Sequence, residues 1–209
     1  MEIAIFGIVV LIFSIIVHEV AHGYAANALG DPTAKLQGRL TLNPLPHIDL
    51  IGSIIIPAIL VLTHSGFLFG WAKPVPYNPY NLKNRRWGEA IVGVAGVATN
   101  LIIAVVFAFV TRFAAEAGNE AFANLAAIVT LTNLYLGLFN LVPIPPLDGF
   151  TVLRGILPFR ASQSLAAFEE KLQAGGILTL IVILFLFSHF LAAPFSILVQ
   201  NIFVFLVGV

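Results

Sequence analysis

The sequence predicts an all-α polytopic membrane protein, a helical bundle of about five to six transmembrane segments. Three observations carry this. Of 209 residues, 59% are hydrophobic and 10% charged, and mean hydropathy is +1.00; a soluble domain runs about 45–50% apolar and about 25% charged. Runs without formal charge recur, each long enough for a crossing of roughly 20 residues. Ten basic residues balance ten acidic ones, so the chain lacks the basic footprint of a nucleic-acid partner and the partner it demands is the lipid bilayer. With no cysteine, disulfides, iron–sulfur clusters and thiolate metal sites are excluded. Nothing in the sequence specifies an oligomeric state.

From Ile3 to Gly30 the only charged or imidazole side chains are His18, Glu19 and His22. The run spans, and it lacks the basic start and small-residue cleavage site of a signal peptide. Asp31-Pro32 stops it, since a residue before proline leaves the helical region. Residues 31–49 are polar and proline-broken, with an alternating stretch near Leu36–Leu42 that reads as a strand. Leu50–Ala72 is uncharged but interrupted by Pro57 and Gly66, and residues 73–88 read as loop with extended pieces. Ala90–Thr111 is a transmembrane helix whose Gly93, Gly96, Thr99 and Asn100 suit close helix packing. A further span runs from about Ala121 to Val142 and ends in Pro143, Pro145 and Pro146. Ser162–Gln173 reads as an amphipathic interfacial helix. The uncharged stretch Ala174–Val209, broken at Pro194, reads as a hairpin of two short helices. Trp71, Tyr77, Tyr80 and Trp87 fit an interfacial aromatic belt.

Loop charge sets the orientation. The loops after the first span, after Leu50–Ala72, after Ala90–Thr111 and after the fourth span carry two, four, one and three Lys or Arg. If Leu50–Ala72 crosses once, the split is three against seven; if it dips in and returns, it is nine against one. The sharper split makes this segment re-entrant, turning near Pro57 or Gly66, and makes the nine-cation side cytoplasmic. Irregular backbone at membrane depth is tolerated only where it is buried in protein or lines a wet cavity.

His18-Glu19-Val20-Ala21-His22 is an H-E-x-x-H motif in the first span. Four residues make just over one turn, so both imidazoles project from one face and can share a zinc ion, with Glu19 about 100° round and free to hold a water. Each ionisable group in a span costs roughly 2.5–3.5 kcal/mol, so three within five positions require a compensating cation. Catalytic zinc takes three protein ligands. Without cysteine the third is His, Asp or Glu, and Asp148, after the prolines that end the fourth span, is the best candidate. An ordinary helix N-cap is the competing reading of Asp148. His47 with Asp49 reads as a loop pair, and His64 and His189 as bundle-lining or interfacial.

An intramembrane H-E-x-x-H followed by Asn140-Leu-Val-Pro-Ile-Pro-Pro-Leu-Asp148-Gly149 resembles the site-2 protease family of intramembrane zinc metalloproteases. Gly96-Val-Ala-Thr-Asn100 is similar to the family's Gly-x-x-x-Asn element. Gly38–Pro44 with His47-Ile-Asp49, and Phe69–Pro76, resemble the short prokaryotic branch without a PDZ or CBS domain. The resemblance runs from about Ile12 to Leu157. It implies a single domain over 1–209, with a catalytic core of about 3–157 and C-terminal helices over about 160–209. It also implies one Zn2+ per chain held by His18, His22 and Asp148, with Glu19 as general base. Asn140 is implied to lie near the active site and Asn100 to face it from the central helix, where each either binds the substrate or makes a helix–helix hydrogen bond. The implied substrate is a transmembrane protein or peptide, cut in the cell membrane by a multi-pass enzyme whose active site lies towards the cytoplasm. The family also has a membrane-embedded extended or β element that aligns a substrate strand, here Phe67–Tyr77. Val97 and Phe150 depart from the family pattern, where proline and a small residue are common. A metal-binding membrane protein without protease activity, a divalent-ion transporter or an inactive homologue, is the alternative; Glu19 would be superfluous to it.

Overall fold

The computed structural model describes residues 2–62, 71–84 and 87–208. In chain order the α-helices among them are α1 (Glu2–Ala28), α2 (Thr33–Leu36), α3 (Ile56–Leu62), α4 (Gly88–Glu116), α5 (Glu120–Asn140), α6 (Asp148–Ile156), α7 (Phe159–Ala174), α8 (Gly176–Leu186) and α9 (Ala192–Val207). Four stretches are long and apolar enough to cross a membrane: Glu2–Ala28, Gly88–Glu116, Glu120–Asn140 and Ile181–Val207. The described residues thus hold four such helices, where the sequence led us to expect five to six.

The difference lies in the C-terminal run, which is not a hairpin. A π turn at Phe187–Leu191 joins α8 to α9, and the backbone at Leu186, Phe187 and Ala192 stays in the right-handed helical region. Pro194 withholds the donor that the preceding turn would otherwise use. The widened turn absorbs that interruption without reversing the chain. The amphipathic reading of Ser162–Gln173 corresponds to α7.

Helix α4 is the centre of the bundle and touches α1, α5, α6 and α9. Lipid tails are as apolar as the side chains, so association relies on close packing and interhelical hydrogen bonds. Ala104 and Ala108 on α4 and Ala126 on α5 are buried, and small side chains there let backbones approach. Val199 of α9 completes the cluster with Ala104 and Leu134, flanked by Phe195, Ile202 and Phe203. Side chains such as Ile3, Ile102 and Phe205 stay exposed on the outer faces, where lipid is their solvent.

No strand occurs among the described residues, so the stretch near Leu36–Leu42 is corrected. Gly38 takes φ +65°, and behind it Arg39 N–H bonds Ala34 O at 2.9 Å and Gly38 N–H bonds Lys35 O at 3.1 Å. This is the Schellman closure of a helix, and only glycine enters its left-handed position cheaply. Residues 67–70 of the candidate extended element lie outside the described residues, and 71–78 forms no regular structure.

The segment that begins at Leu50 returns to its start. Asp49 caps the turn Leu50–Ile55 by accepting from Gly52 N at 2.7 Å and Ile51 N at 3.1 Å. Further along, Trp71 N–H bonds Gly52 O at 3.1 Å, and Ser53 Oγ donates to Trp71 O at 2.8 Å. Both ends therefore lie on one side of the bundle, the geometry of a re-entrant segment. The proposed turn at Gly66 falls outside the described residues.

Asp31 fastens the returning chain to the end of α1. Fully buried, its carboxylate accepts from Thr33 Oγ1 at 2.6 Å, Asn78 N at 2.7 Å, Asn81 Nδ2 at 2.9 Å and Thr33 N at 3.3 Å. Burial opposes its ionisation, but these donors outweigh burial and hold its pKa below the usual carboxylate value. A depressed folded-state pKa contributes stability that is present above the unfolded value, about 4, and is lost as pH falls through the folded one. Asp31→Asn, which turns an amide N–H towards several donors, is expected to lower unfolding stability by about 2 kcal/mol near neutral pH. In detergent melts that gap should start to shrink below about pH 4, where the unfolded chain takes up the proton, and close as pH falls through the lower folded-state pKa.

Candidate metal centre

The H-E-x-x-H turn of α1 faces α4 and α6. His18 and His22 are buried, and their rings meet edge to face with centroids 4.6 Å apart. Gly96 of α4 lies directly under them; a Cβ there would overlap His22 Nε2 and crowd His18 Cε1. Glycine at this place is therefore a steric requirement of the two imidazoles.

The chain after α5 is broken by Pro143, Pro145 and Pro146, which cannot donate to a continuing helix. It turns through Ile144 and Leu147 into α6, whose first residue is Asp148. Gly149 passes so close to Leu141 O that a Cβ would not fit. Arg154 then ties α6 to Glu89 at the start of α4 and to Glu169 of α7, the latter at 2.9 Å. Asp148 Oδ2 thereby reaches 2.9 Å from His18 Nε2 and 3.2 Å from His22 Nε2, and the two Nε2 atoms lie 3.0 Å apart. The cap reading is not what is seen: Leu147 precedes α6 without a side-chain cap, and Asp148 Oδ2 is buried with no hydrogen-bond partner.

Which protons occupy this triangle follows from the groups behind it. Asn133 Nδ2 donates to Val129 O at 2.9 Å and to Ser14 Oγ at 3.0 Å, which turns Asn133 Oδ1 towards Asn100. Asn100 Nδ2 donates to that oxygen at 2.8 Å and to Ser14 O at 3.3 Å, so Asn100 Oδ1 faces His18 Nδ1 at 2.6 Å. An amide oxygen only accepts, so His18 Nδ1 carries the proton. Val92 O likewise accepts a hydrogen bond from His22 Nδ1–H at 2.7 Å. In the neutral form that a metal ion requires, both rings present a lone pair at Nε2, pointed at each other and at a carboxylate oxygen. Three acceptors then converge.

A cation resolves that convergence, and zinc fits the donor set. Two imidazole nitrogens and one carboxylate oxygen leave a tetrahedral site one open position, as in catalytic zinc centres. Bonds of about 2.0–2.1 Å would set tetrahedral donors about 3.3 Å apart, against 2.9–3.2 Å here. These are the three groups able to hold a metal ion among the described residues.

The triangle opens into a cavity of about 520 Å³, lined also by Glu19, Trp71, Val75, Tyr77, Asn140 and Phe187. Glu19 Oε2 accepts from Val75 N at 2.8 Å. Asn140 lines this cavity with Nδ2 committed to Leu136 O at 3.0 Å. Asn100 does not: it is fully buried behind His18 and occupied by the network above. Trp71 and Tyr77, read as belt aromatics, border the cavity instead. Burial, with Glu89 nearby, pushes the Tyr77 hydroxyl up to about 12, so it stays neutral. His47 bonds Thr41 O at 2.9 Å and not Asp49; His189 stacks on Phe185, and His64 lies outside the described residues. Sequence reasoning missed Asn133 and Ser14, although a second amide in a membrane span is itself a signal. Val92 O, a backbone group, leaves no trace in the sequence.

Gly96→Ala is expected to leave helicity intact and to lower bound zinc well below one per chain, measured by plasma mass spectrometry. Asp148→Asn should do the same, whereas full occupancy in either variant would contradict the site.

The model of Peptidase family M50 matches residues 112–187, which include Asp148. The chain is 40% identical over 158 residues to the candidate zinc metalloprotease YwhC of Bacillus subtilis, spanning 72% of this chain and 68% of that one. It is 29% identical to the candidate zinc metalloprotease Rip2 of Mycolicibacterium smegmatis, over 83% of this chain and 64% of the relative. A zinc metalloprotease of Methanocaldococcus jannaschii is 27% identical over 85% of this chain and 41% of its own length. No solved structure gives a significant match. A relative this similar, matched over two thirds of its length, places the chain in peptidase family M50, the site-2 protease family.

Proposed function

We propose that this chain is an intramembrane zinc metalloendopeptidase that hydrolyses peptide bonds within or near transmembrane segments of membrane-protein substrates. The observation that carries the reading is the triangle of lone pairs at His18, His22 and Asp148, beside a carboxylate that is not needed to complete it. A bound zinc supplies Lewis acidity, polarising a carbonyl and acidifying water to a pKa near 7.

Glu19 is the general base. Its Oε2 is held by Val75 N–H, so Oε1 is the oxygen that takes a proton from water and returns it to the leaving amine. His18 and His22 keep Nδ1–H bonded to Asn100 and Val92 and offer only Nε2. Asn140, at the cavity wall, is placed to steady a peptide carbonyl. Asn100 acts behind His18, orienting the ring.

A helical substrate hides its carbonyls in its own hydrogen bonds and must unwind before attack. Strand pairing with the segment over the cavity is limited by its chemistry. Pro74 and Pro76 have no N–H, and the groups of Trp71, Lys73 and Val75 are largely engaged within the protein. Among the described residues, few backbone groups before Val75, Ala72's among them, therefore remain for pairing with an extended substrate. The nine cations on one side support a cavity facing the cytoplasm.

Glu19→Gln is expected to reduce cleavage of a single-span reporter at least about 10³-fold while zinc stays at one per chain. Retained proteolysis in this variant would remove Glu19 from the role of base.

A further inference from the structure

Arg39 lies in the loop after α2, outside the metal-binding triangle, yet is buried to 7% exposure. No carboxylate pairs with it among the described residues. Its guanidinium Nη2 donates instead to two backbone carbonyls of the segment crossing the cavity, Lys73 O at 2.8 Å and Pro74 O at 3.3 Å. A guanidinium withdrawn from water and spent on carbonyls requires an explanation beyond surface charge.

Pro74 O belongs to the same peptide unit as Val75 N–H, the group that bonds Glu19 Oε2 at 2.8 Å. A peptide unit is planar, so fixing its oxygen fixes the direction of its N–H. Cation, peptide dipole and carboxylate stand in line, an arrangement in which each hydrogen bond strengthens the next. Lys73 N–H bonds His47 O at 2.8 Å and holds the segment from the other side. Val75 is buried and packs on Gly23, one residue past His22.

We propose that Arg39 is a positioning residue for the base: acting through the Pro74–Val75 peptide unit, it holds Glu19 Oε2 and leaves Oε1 aimed at the cavity. This rests on the protease reading above, and specifically on Glu19 as base. Arg39 contacts no metal ligand and does not line the cavity, so removing it should slow turnover without emptying the metal site or weakening substrate binding.

The test uses the full chain in proteoliposomes and a single-span reporter with a fluorophore and quencher flanking its apolar segment. Variants are Arg39→Ala, Arg39→Lys, Val75→Pro, Val75→Ala and the Arg39→Ala/Val75→Pro double variant. Residue 75 precedes Pro76 and is already restricted to extended backbone, so proline there deletes the N–H at little backbone cost, and Val75→Ala, which keeps the N–H, measures the part of the loss due to the buried side chain. Arg39→Ala and Val75→Pro are each expected to lower kcat about 10- to 100-fold, the weight of a hydrogen bond to a charged group. KM should stay within about threefold and zinc at one per chain. Arg39→Lys, which keeps one donor, should recover part of the loss. The double variant should be no slower than Val75→Pro alone, because both changes break one line of contacts. Multiplying losses, or a raised KM at unchanged kcat, would overturn the proposal; the second result would assign the segment to substrate binding. If Arg39→Ala does not fold, the kcat of Arg39→Lys and Val75→Pro decides on the same criteria. An inactive wild type carrying full zinc would instead overturn the protease reading, and this proposal with it.

Discussion

Three lone pairs forced to within about 3 Å of one another are the constraint on which this molecule turns. With both rings neutral, His18 Nε2, His22 Nε2 and Asp148 Oδ2 repel unless a cation lies among them, and neither imidazole can relieve the repulsion by moving its Nδ1 proton. Asn100 and Val92 O keep those protons on the far side of the rings. Asn100 is itself oriented by Asn133 and Ser14 O, and Asn133 by Val129 O. The tautomer of one histidine is thus decided by backbone carbonyls on α1 and α5, with α4 between them. In a bilayer an unsatisfied amide costs more than in water, so the network that satisfies these groups also sets the chemistry.

The same constraint accounts for the packing. α1 and α4 must come close enough for two imidazoles to rest on a bare backbone, which Gly96 permits. α6 must present its first residue to α1, which the proline-broken chain after Asn140 and the Arg154 ion pairs achieve. The returning segment is fastened to the end of α1 by Asp31 and placed against Glu19 at Val75. Bundle, loop and site are one set of contacts.

Much of this was legible in the sequence, for physical reasons. The spans at α1, α4 and α5 announce themselves because charge is expensive in hydrocarbon, and the same expense exposed His18, Glu19 and His22 as a group needing a cation. Asp148 stood out as an acid following a span, though spacing alone left a helix cap open and the Nε2–Oδ2 distances were needed to decide. Other features were hidden because they depend on tertiary placement. Pro194 reads as a chain reversal, yet a π turn absorbs it. Leu36–Leu42 alternates like a strand, yet Gly38 closes a Schellman turn there. Asn100 reads equally as a substrate group or as a helix–helix hydrogen bond, and its position behind His18 comes from helix packing that periodicity does not encode. Carbonyl acceptors such as Val92 O belong to every residue type and cannot be read from side chains.

Whether these donors converge on one cation can be read by zinc K-edge X-ray absorption of the reconstituted full chain in detergent. A four-coordinate site is expected, with two imidazole nitrogens at about 2.0–2.1 Å and oxygen ligands completing the shell. In His22→Ala, whatever zinc remains bound should show half the imidazole scattering per ion. A wild-type site with one or no imidazole, or a spectrum unchanged in that variant, would contradict the convergence.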